Sequence, residues 1–249
     1  MHSAMLDLRL LRNRGTWKMD KTSRPRANDD IWERLYAGGA KVNRHPHDVV
    51  VSFVLRNFAA VPDRSRVRLL DYGCGGGGNT AFMAAEGFET HGMDGSPSAV
   101  AHARHTVEVV AGSTARIMTG DFAALPYPEG FFDAIIDRQS LGQNAACRLP
   151  GMVSEIARVL KPGGLYLGIN FSTGHPQLQF GRPLGGGDHG DFSAGVFRGI
   201  GFRHFFDEAE IRALFQQFEF RELRLVRSTN LLDPSDGSEE IVVVAARQY

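Results

Sequence analysis

A short apolar segment that runs directly into a block of glycines constrains the fold of this chain more than any other feature. Residues 67–80 read VRLLDYGCGGGGNT, and a helical pattern continues from there to Glu86. A strand that turns through glycines into a helix brings free backbone N–H groups close to a ligand, because glycine has no side chain to block the approach. The segment therefore predicts an α/β fold with a ligand site at the end of its first strand.

The rest of the chain alternates between strand and helix patterns. The predicted strands are short apolar runs, at 67–71, 90–94, 115–119, 132–137, 165–171, 222–228 and 239–246. The predicted helices have apolar residues at helical spacing, at 31–36, 49–58, 79–86, 96–110, 152–160 and 207–218. This alternation predicts a mostly parallel sheet of about seven strands with helices on both faces, and the polar turn 233–238 predicts that the last two strands form an antiparallel hairpin.

Two segments depart from this rhythm. Residues 1–30 contain seven Lys or Arg and few apolar side chains after Leu11, which predicts a mobile N-terminal arm. Residues 172–206, after the fifth strand, contain nine glycines and six phenylalanines, which is more typical of a long loop or lid than of regular structure. We therefore expect one domain over 31–249, with a helical cap at 31–62 and a lid or substrate insertion at 172–206.

Composition argues against several classes of partner. Lys plus Arg equals Asp plus Glu at 28 each, so no global charge attracts nucleic acid. No apolar run approaches the ~20 residues of a membrane helix. Cys74 and Cys147 are far apart, which argues against a zinc site built on cysteines and favours a reducing cytoplasmic location. We expect no metal, no nucleic acid and no membrane, and a monomer or homodimer.

The glycine block alone fits two kinds of cofactor. Gly73, Gly75 and Gly78 satisfy the dinucleotide fingerprint G-x-G-x-x-G, and Asp94 lies at about the separation of a ribose-binding acid, so an NAD-dependent oxidoreductase is one interpretation. Asp71, two residues before the first glycine, is poorly placed for a pyrophosphate. A carboxylate there suits a ligand that carries an ammonium group and a sulfonium centre.

Taken together, the motifs of residues 67–171 resemble those of the class I, Rossmann-like S-adenosylmethionine-dependent methyltransferases. The resemblance rests on four segments in order, which read DYGCGGGGNT, GMDGS, GDFAALPYPEGFFDAIIDRQSL and LKPGG. More loosely, IWERLYAGGAKVNRHPHD and GIGFRHFFDEAEI resemble a bacterial subgroup that methylates small molecules. The resemblance implies S-adenosyl-L-methionine as cofactor and S-adenosyl-L-homocysteine as product.

The same resemblance implies which residues hold the cofactor. They are Tyr36, Arg44, Asp71, Gly73, Cys74, Gly75, Asp94, Gly95, Ser96, Asp121, Phe122, Asp137 and Arg138. Within this set, Gly73 and Gly75 would line the methionine part, and Asp94 would accept hydrogen bonds from the ribose hydroxyls. Asp121 would accept from the adenine amino group, with Phe122 against the ring.

The remaining members would close the site. Asp71 would act through the glycine loop and the cofactor amino group. Asp137 and Arg138 would face the methionine tail and the acceptor, and Tyr36 and Arg44 would close over the cofactor carboxylate.

The resemblance implies in-line methyl transfer to an oxygen or nitrogen atom of a small molecule, such as a sugar, a glycan component or a secondary metabolite. His175 is the candidate general base, because it follows the fifth strand by only a few residues; a purely structural histidine is the alternative. Three arginines of the insertion are candidates for binding a carboxylate or phosphate: Arg182, Arg198 and Arg203. Its phenylalanines could instead line an apolar pocket, and a non-catalytic cofactor-binding protein also remains open.

Overall fold

The computed structural model describes residues 30–40, 42–112 and 115–249, so the predicted arm at 1–30 lies outside the described residues except for Asp30. The α-helices within these residues are α1 Asp30–Ala37, α2 Asp48–Phe58, α3 Gly78–Ala85, α4 Pro97–Ala111, α5 Leu149–Val159 and α6 Glu208–Leu214. The strands are β1 Arg68–Tyr72, β2 Glu89–Asp94, β3 Arg116–Thr119, β4 Phe132–Arg138, β5 Leu160–Phe171, β6 Arg182–Gly185, β7 Asp188–Gly190, β8 Arg203–His204, β9 Phe218–Ser228 and β10 Ser238–Arg247.

Seven of these strands form one sheet in the order β3-β2-β1-β4-β5-β10-β9. The first five are parallel, whereas β10 pairs antiparallel with both β5 and β9. This confirms the predicted mostly parallel sheet with its C-terminal antiparallel hairpin. The strand order reverses at β1, which lies between β2 and β4, and ligands of such sheets bind beyond the carboxyl ends of the strands at that reversal.

Helices cover both faces of the sheet, as the alternation predicted. On one face, α2 and α3 pack against residues such as Leu69 and Ile136. On the other face, α5 and α6 pack against the alternate residues of the same strands, such as Leu70 and Ile135. Because both faces are buried, the strands read as continuous apolar runs.

Helix α4 begins as the sequence predicted, whereas α6 is shorter than predicted. Ser96 Oγ accepts from the backbone N–H of Ala99 at 3.0 Å, and Pro97 occupies the first turn. Asp207 likewise accepts from the N–H of Glu210 at 2.8 Å, but α6 ends at Leu214 because the chain turns into strand β9 at Phe218.

The insertion at 172–206 is more regular than its composition suggested. It contains a 3₁₀-helix at Pro176–Phe180 and a small sheet of the order β6-β7-β8. Its apolar side chains explain this order, since they form a buried cluster of their own, made of Phe192, Phe197, Ile200 and Phe205. Trp32 of α1 and Phe171 of β5 pack against that cluster, so the insertion is fixed to both the N-terminal helix and the main sheet.

His204 also holds the insertion in place. Its ring bridges Asp188 of β7, at 2.6 Å, and Glu210 of α6, at 2.9 Å. Burial alone would lower the pKa of His204, but hydrogen bonds to these two carboxylates outweigh it and raise the pKa to about 9. The histidine is therefore an imidazolium that joins the insertion to α6.

Within the described residues, no helix has the length and apolar character needed to cross a membrane.

Candidate active site

A cavity of about 560 Å³ opens at the carboxyl ends of β1, β2, β4 and β5, where the topology places a ligand. Its wall includes seven of the thirteen residues predicted to hold the cofactor, namely Tyr36, Gly73, Cys74, Gly75, Asp94, Phe122 and Arg138. The candidate base His175 also lines it. Six predicted residues do not, namely Arg44, Asp71, Gly95, Ser96, Asp121 and Asp137.

The glycine loop after β1 is packed closely by this chain itself. A Cβ atom on Gly73, whose φ is +79°, would collide with the side chain of Ser140. One on Gly75 would lie 2.6 Å from the Tyr36 hydroxyl, and one on Gly76 would lie 2.6 Å from the carbonyl oxygen of Asn43. The N-terminal segment therefore crosses over the loop, and the glycine run serves that crossing as well as any ligand.

Asp94 organises the loop at the end of β2. Its Oδ2 accepts from the N–H of Gly75 at 3.0 Å, and its Oδ1 accepts from the N–H of Ser96 at 2.9 Å. Burial raises the pKa of this carboxyl, although these backbone donors oppose the shift. Each carboxylate oxygen keeps a second lone pair, so Asp94 can still accept hydrogen bonds from a ligand in the cavity.

Asp71 and Asp137 are buried and support the loops that line the cavity. Asp71 accepts from Thr80 Oγ1 at 2.6 Å and so holds the first turn of α3. Asp137 accepts from the N–H of Ser140 at 2.7 Å and from the Tyr166 hydroxyl at 2.9 Å. Burial raises the pKa of both carboxyls to about 6. Their partners are protein groups, so the structure places them as supports for the two loops.

The loop after β3 places its two candidate residues differently. Phe122 is buried, lines the cavity and packs against Tyr72 in a tilted arrangement, with ring centroids 4.6 Å apart. Asp121 is half exposed, and its Oδ1 accepts from Arg148 at 3.0 Å. Phe122 therefore supplies a flat apolar wall, whereas Asp121 lies outside the cavity.

Arg44 and Ser96 also lie outside the main cavity. Arg44 is exposed and lines a separate groove between α3 and α4. Ser96 donates from its hydroxyl to Glu33 at 2.5 Å. Glu33 also accepts from the hydroxyl of Ser98 at 2.6 Å, so this carboxylate fixes α1 at the start of α4 and keeps Tyr36 over the glycine loop.

The other end of the cavity is built from α1 and the loop after β4. Trp32 Nε1 donates to Gln143 at 3.1 Å, and Gln143 donates in turn to the carbonyl of Gln139 at 3.1 Å. Gln139 has a φ of +67°, a strained conformation for a residue with a side chain. Such strain is concentrated at functional sites, and all three of these residues line the cavity.

His175 lies at this same end and is held as a neutral ring. Its Nδ1 accepts from the N–H of Gln177 at 3.1 Å, which leaves the proton on Nε2. Burial and the charge of Arg203 lower the pKa of His175 to about 4. A ring in this state donates a hydrogen bond, which disfavours His175 as a general base.

Two arginines give the cavity positive charge. Arg203 is buried, and its Nε and Nη1 have no hydrogen-bond partner among the described residues. Arg138 Nε is likewise without a partner there. Cys74 contributes no charge, since burial raises the pKa of its thiol.

No group of three or more His, Cys, Asp or Glu within the described ranges could hold a metal ion.

Sequence reasoning missed several residues that shape this site, namely Glu33, Asn43, Gln139, Ser140 and Gln143. Ser140 had a local signal, because a serine shortly after a buried strand end is a common partner for backbone groups. Glu33 and Asn43 reach the site from the N-terminal segment, and nothing in their spacing indicates that contact.

Comparison with known proteins agrees with this geometry. Residues 69–164 match the family model described as a methyltransferase domain. An uncharacterised methyltransferase of Synechocystis is 34% identical over 112 residues, which are 45% of this chain and 49% of that protein. A demethylmenaquinone methyltransferase of Tropheryma whipplei is 37% identical over 109 residues, 44% of this chain and 43% of that protein. The chain thus spans about half the length of these relatives.

Solved structures share the fold over most of the chain. A methyltransferase of Methanosarcina mazei described as SAM-dependent has a TM-score of 0.65 at 18% identity and covers 82% of this chain and 99% of its own. The 1,6-didemethyltoxoflavin-N1-methyltransferase of Burkholderia thailandensis, solved with S-adenosylhomocysteine, has a TM-score of 0.63 at 18% identity and covers 87% and 85%. The chain therefore shares the Rossmann-like fold of these methyltransferases, and residues 69–164 are similar to a methyltransferase domain. The dinucleotide interpretation of the glycine loop is not favoured.

Proposed function

We propose that this protein transfers a methyl group from S-adenosylmethionine to an oxygen or nitrogen atom of a small molecule. The observation that carries the proposal is the continuity of one cavity. One end is formed by the glycine loop, Asp94 and Phe122, and the other by Trp32 and the insertion. A donor and an acceptor can therefore occupy the same cavity.

The residues present fit the cofactor. Gly73 and Gly75 expose backbone at the mouth of β1, and Asp94 offers oxygen lone pairs to ribose hydroxyls. Phe122 offers a flat surface to adenine, and the unpartnered Nε of Arg138 marks a place for a carboxylate. When bound, the cofactor supplies an electrophilic methyl group on a sulfonium centre.

The protein's own contribution is alignment and exclusion of water. Tyr36 and Trp32 close the cavity from α1, with ring centroids 5.9 Å apart. Holding two reactants in line within a dry site accounts for a large share of the rate of such displacements. His175 can donate a hydrogen bond from Nε2 at the acceptor end, and burial, which lowers its pKa to about 4, makes it a weak proton acceptor.

A small-molecule acceptor suits the size of the cavity, since ligand pockets usually enclose about 300–1,000 Å³. The Burkholderia neighbour offers a parallel, because its structure was solved with bound 1,6-didemethyltoxoflavin and S-adenosylhomocysteine. The chain's equal numbers of acidic and basic residues give no support to a nucleic-acid substrate.

Calorimetry with S-adenosylhomocysteine tests the donor half of the proposal. We expect wild-type protein to bind S-adenosylhomocysteine and not to bind NAD(H). Asp94→Ala should weaken that binding by ~1–3 kcal/mol, since ribose hydroxyls would lose their acceptor. Glu89→Ala, at the opposite end of the same strand, should leave the affinity unchanged. Binding of NAD(H) without S-adenosylhomocysteine would refute the proposal.

The acceptor half is tested by radiolabelled methyl transfer to fractionated metabolites from the source organism. Label in a small-molecule fraction supports the proposal. Binding of S-adenosylhomocysteine without transfer to any fraction would favour a non-catalytic cofactor-binding protein.

A further inference from the structure

Arg203 is a buried cation without an anion beside it. Only 4% of its surface is exposed, yet it lines the cavity. Among the described residues, no carboxylate forms an ion pair with it, and its Nε and Nη1 have no hydrogen-bond partner. An unpaired buried charge is unfavourable for folding, so its presence in a cavity points to a ligand.

Three aromatic rings hold the Arg203 guanidinium at the cavity wall. Its central carbon lies 6.0 Å from the ring centroid of Trp32, 5.0 Å from that of Phe171 and 4.8 Å from that of Phe197. These rings, which we call the aromatic cage, come from α1, from the end of β5 and from the insertion. Aromatic faces attract a guanidinium but accept no strong hydrogen bond from it, so its donors keep their capacity for a ligand.

The acidic groups around the cavity are already engaged elsewhere. Asp94 holds the glycine loop, Glu240 accepts from Gln139 at 2.9 Å, and Asp236 accepts from Asn230 at 3.1 Å. Glu239, whose charge favours the protonated form of His175, accepts hydrogen bonds from Ser172 and Arg227. None of the described carboxylates that line the cavity forms an ion pair with Arg203.

A second positive charge faces the same cavity from Arg138. Burial and the charge of Arg138 lower the pKa of Arg203 to about 9. Two arginines around one cavity attract an anion, and guanidinium groups bind carboxylate and phosphate oxygens especially well.

We propose that the methyl acceptor carries an anionic oxygen group, a carboxylate or a phosphate, and that Arg203 binds this group inside the aromatic cage. The inference rests on the proposed function, because it concerns the acceptor half of that site. The rings of Trp32, Phe171 and Phe197 would pack against the body of the acceptor next to its anionic group. A planar or apolar body is the chemistry that such a wall favours.

The test uses small probes on protein saturated with S-adenosylhomocysteine. Calorimetric titration compares benzoate, phenyl phosphate and the neutral analogue benzamide. We expect one of the two anions to bind and benzamide not to bind, and the better anion identifies the group. Arg203→Met should weaken the binding of that anion at least tenfold. Arg198→Met, which removes an exposed arginine of the same insertion, should not change it.

Two further readouts separate ligand binding from a structural role. Arg203→Met removes an unpaired buried charge, so its melting temperature should equal or exceed that of the wild type. Its affinity for S-adenosylhomocysteine should stay within twofold. If Arg203→Met does not fold, Arg203→Lys keeps the charge without the planar fork. Arg203→Lys should still bind the favoured anion more weakly than Arg198→Lys does.

Several results would overturn the inference. If benzamide bound as well as the anions, or if a destabilised Arg203→Met protein kept its anion binding, the role of Arg203 would be structural. Weaker binding of S-adenosylhomocysteine in this variant would assign Arg203 to the cofactor instead. Failure of the wild-type protein to bind S-adenosylhomocysteine would refute the proposed function, so the two failures are distinguishable.

Discussion

The carboxylate of Glu33 lies against the first turn of α4, where the hydroxyl of Ser96 donates to it over 2.5 Å. Ser98 adds its own hydroxyl, at 2.6 Å, and its backbone N–H, at 3.2 Å. A negative charge at a helix N-terminus is favourable, and this one also determines where α1 lies. The position of Tyr36 above the glycine loop therefore depends on a contact made one turn earlier in α1.

Glu33→Gln should loosen this contact. We expect a stability loss of about 1 kcal/mol, as for other helix-cap losses, together with weaker binding of S-adenosylhomocysteine. Hydrogen bonds from Ser96 and Ser98 lower the pKa of Glu33, so the contribution is present at neutral pH and disappears as the pH falls through that lowered pKa. Chemical denaturation at pH 7 and pH 4 measures it. Glu108→Gln, an exposed change on α4, is the control, and equal behaviour of the two variants would contradict the prediction.

Gly73→Ala should disrupt the loop by collision rather than by backbone strain alone. Gly87 has a similar φ, +87°, but nothing lies within 4 Å of a Cβ atom there, so Gly87→Ala isolates the strain, which is of the order of 1–2 kcal/mol. We expect Gly73→Ala to lose more stability than Gly87→Ala and, unlike it, to lose cofactor binding. Thermal melts and calorimetry test this. Adding Ser140→Gly to Gly73→Ala should recover part of the loss, and no recovery would argue against the collision.

His175 should stay neutral across the physiological range. Its pKa is about 4 in the folded protein and about 6.5 in the unfolded chain, so the unfolded chain is protonated first as the pH falls. This residue therefore lowers the free energy of unfolding as the pH falls from about 6.5 towards 4. Histidine NMR resonances, with that of His175 assigned by its loss in His175→Gln, give the pKa directly. A midpoint above pH 6 would restore His175 as a candidate base.

His204 should behave in the opposite way. Its raised pKa stabilises the folded state fully below about pH 6.5, and that stabilisation is lost as the pH rises to about 9. A shift from 6.5 to about 9 corresponds to roughly 3 kcal/mol. Denaturation between pH 6 and pH 10 should show this decline in wild-type protein and a flatter profile in His204→Gln. A parallel decline in both proteins would assign the effect to other groups.

The sheet and the glycine loop were predictable because both follow from local patterns. The apolar runs indicate the strands, and the turn into glycines indicates the end of the sheet that carries the site. The small sheet within 172–206 was not predictable, since it depends on phenylalanines that meet only in the fold. Its glycines indicated a loop, yet two of them, Gly186 and Gly187, make the tight turn between β6 and β7.

The candidate site divides in a similar way. Asp94 is the last residue of β2 and Phe122 follows the end of β3 by three residues, so position along the chain was enough to find them. The cage around Arg203 joins residues 32, 171 and 197, and no spacing rule connects positions so far apart. Proximity to a motif was not sufficient either. Asp71 lies two residues before the first glycine of the loop, but its side chain contacts Thr80 and does not line the cavity.

The cavity wall comes from two separate parts of the chain, and this affects how the protein can change. In the proposed function, the donor end is made by the ends of the central strands, whereas the acceptor end is made mainly by α1 and the insertion. New acceptor preferences can therefore arise by variation in 172–206 while the donor machinery is kept. A chimaera that exchanges this insertion and residue 32 together is the natural starting point for redirecting the enzyme.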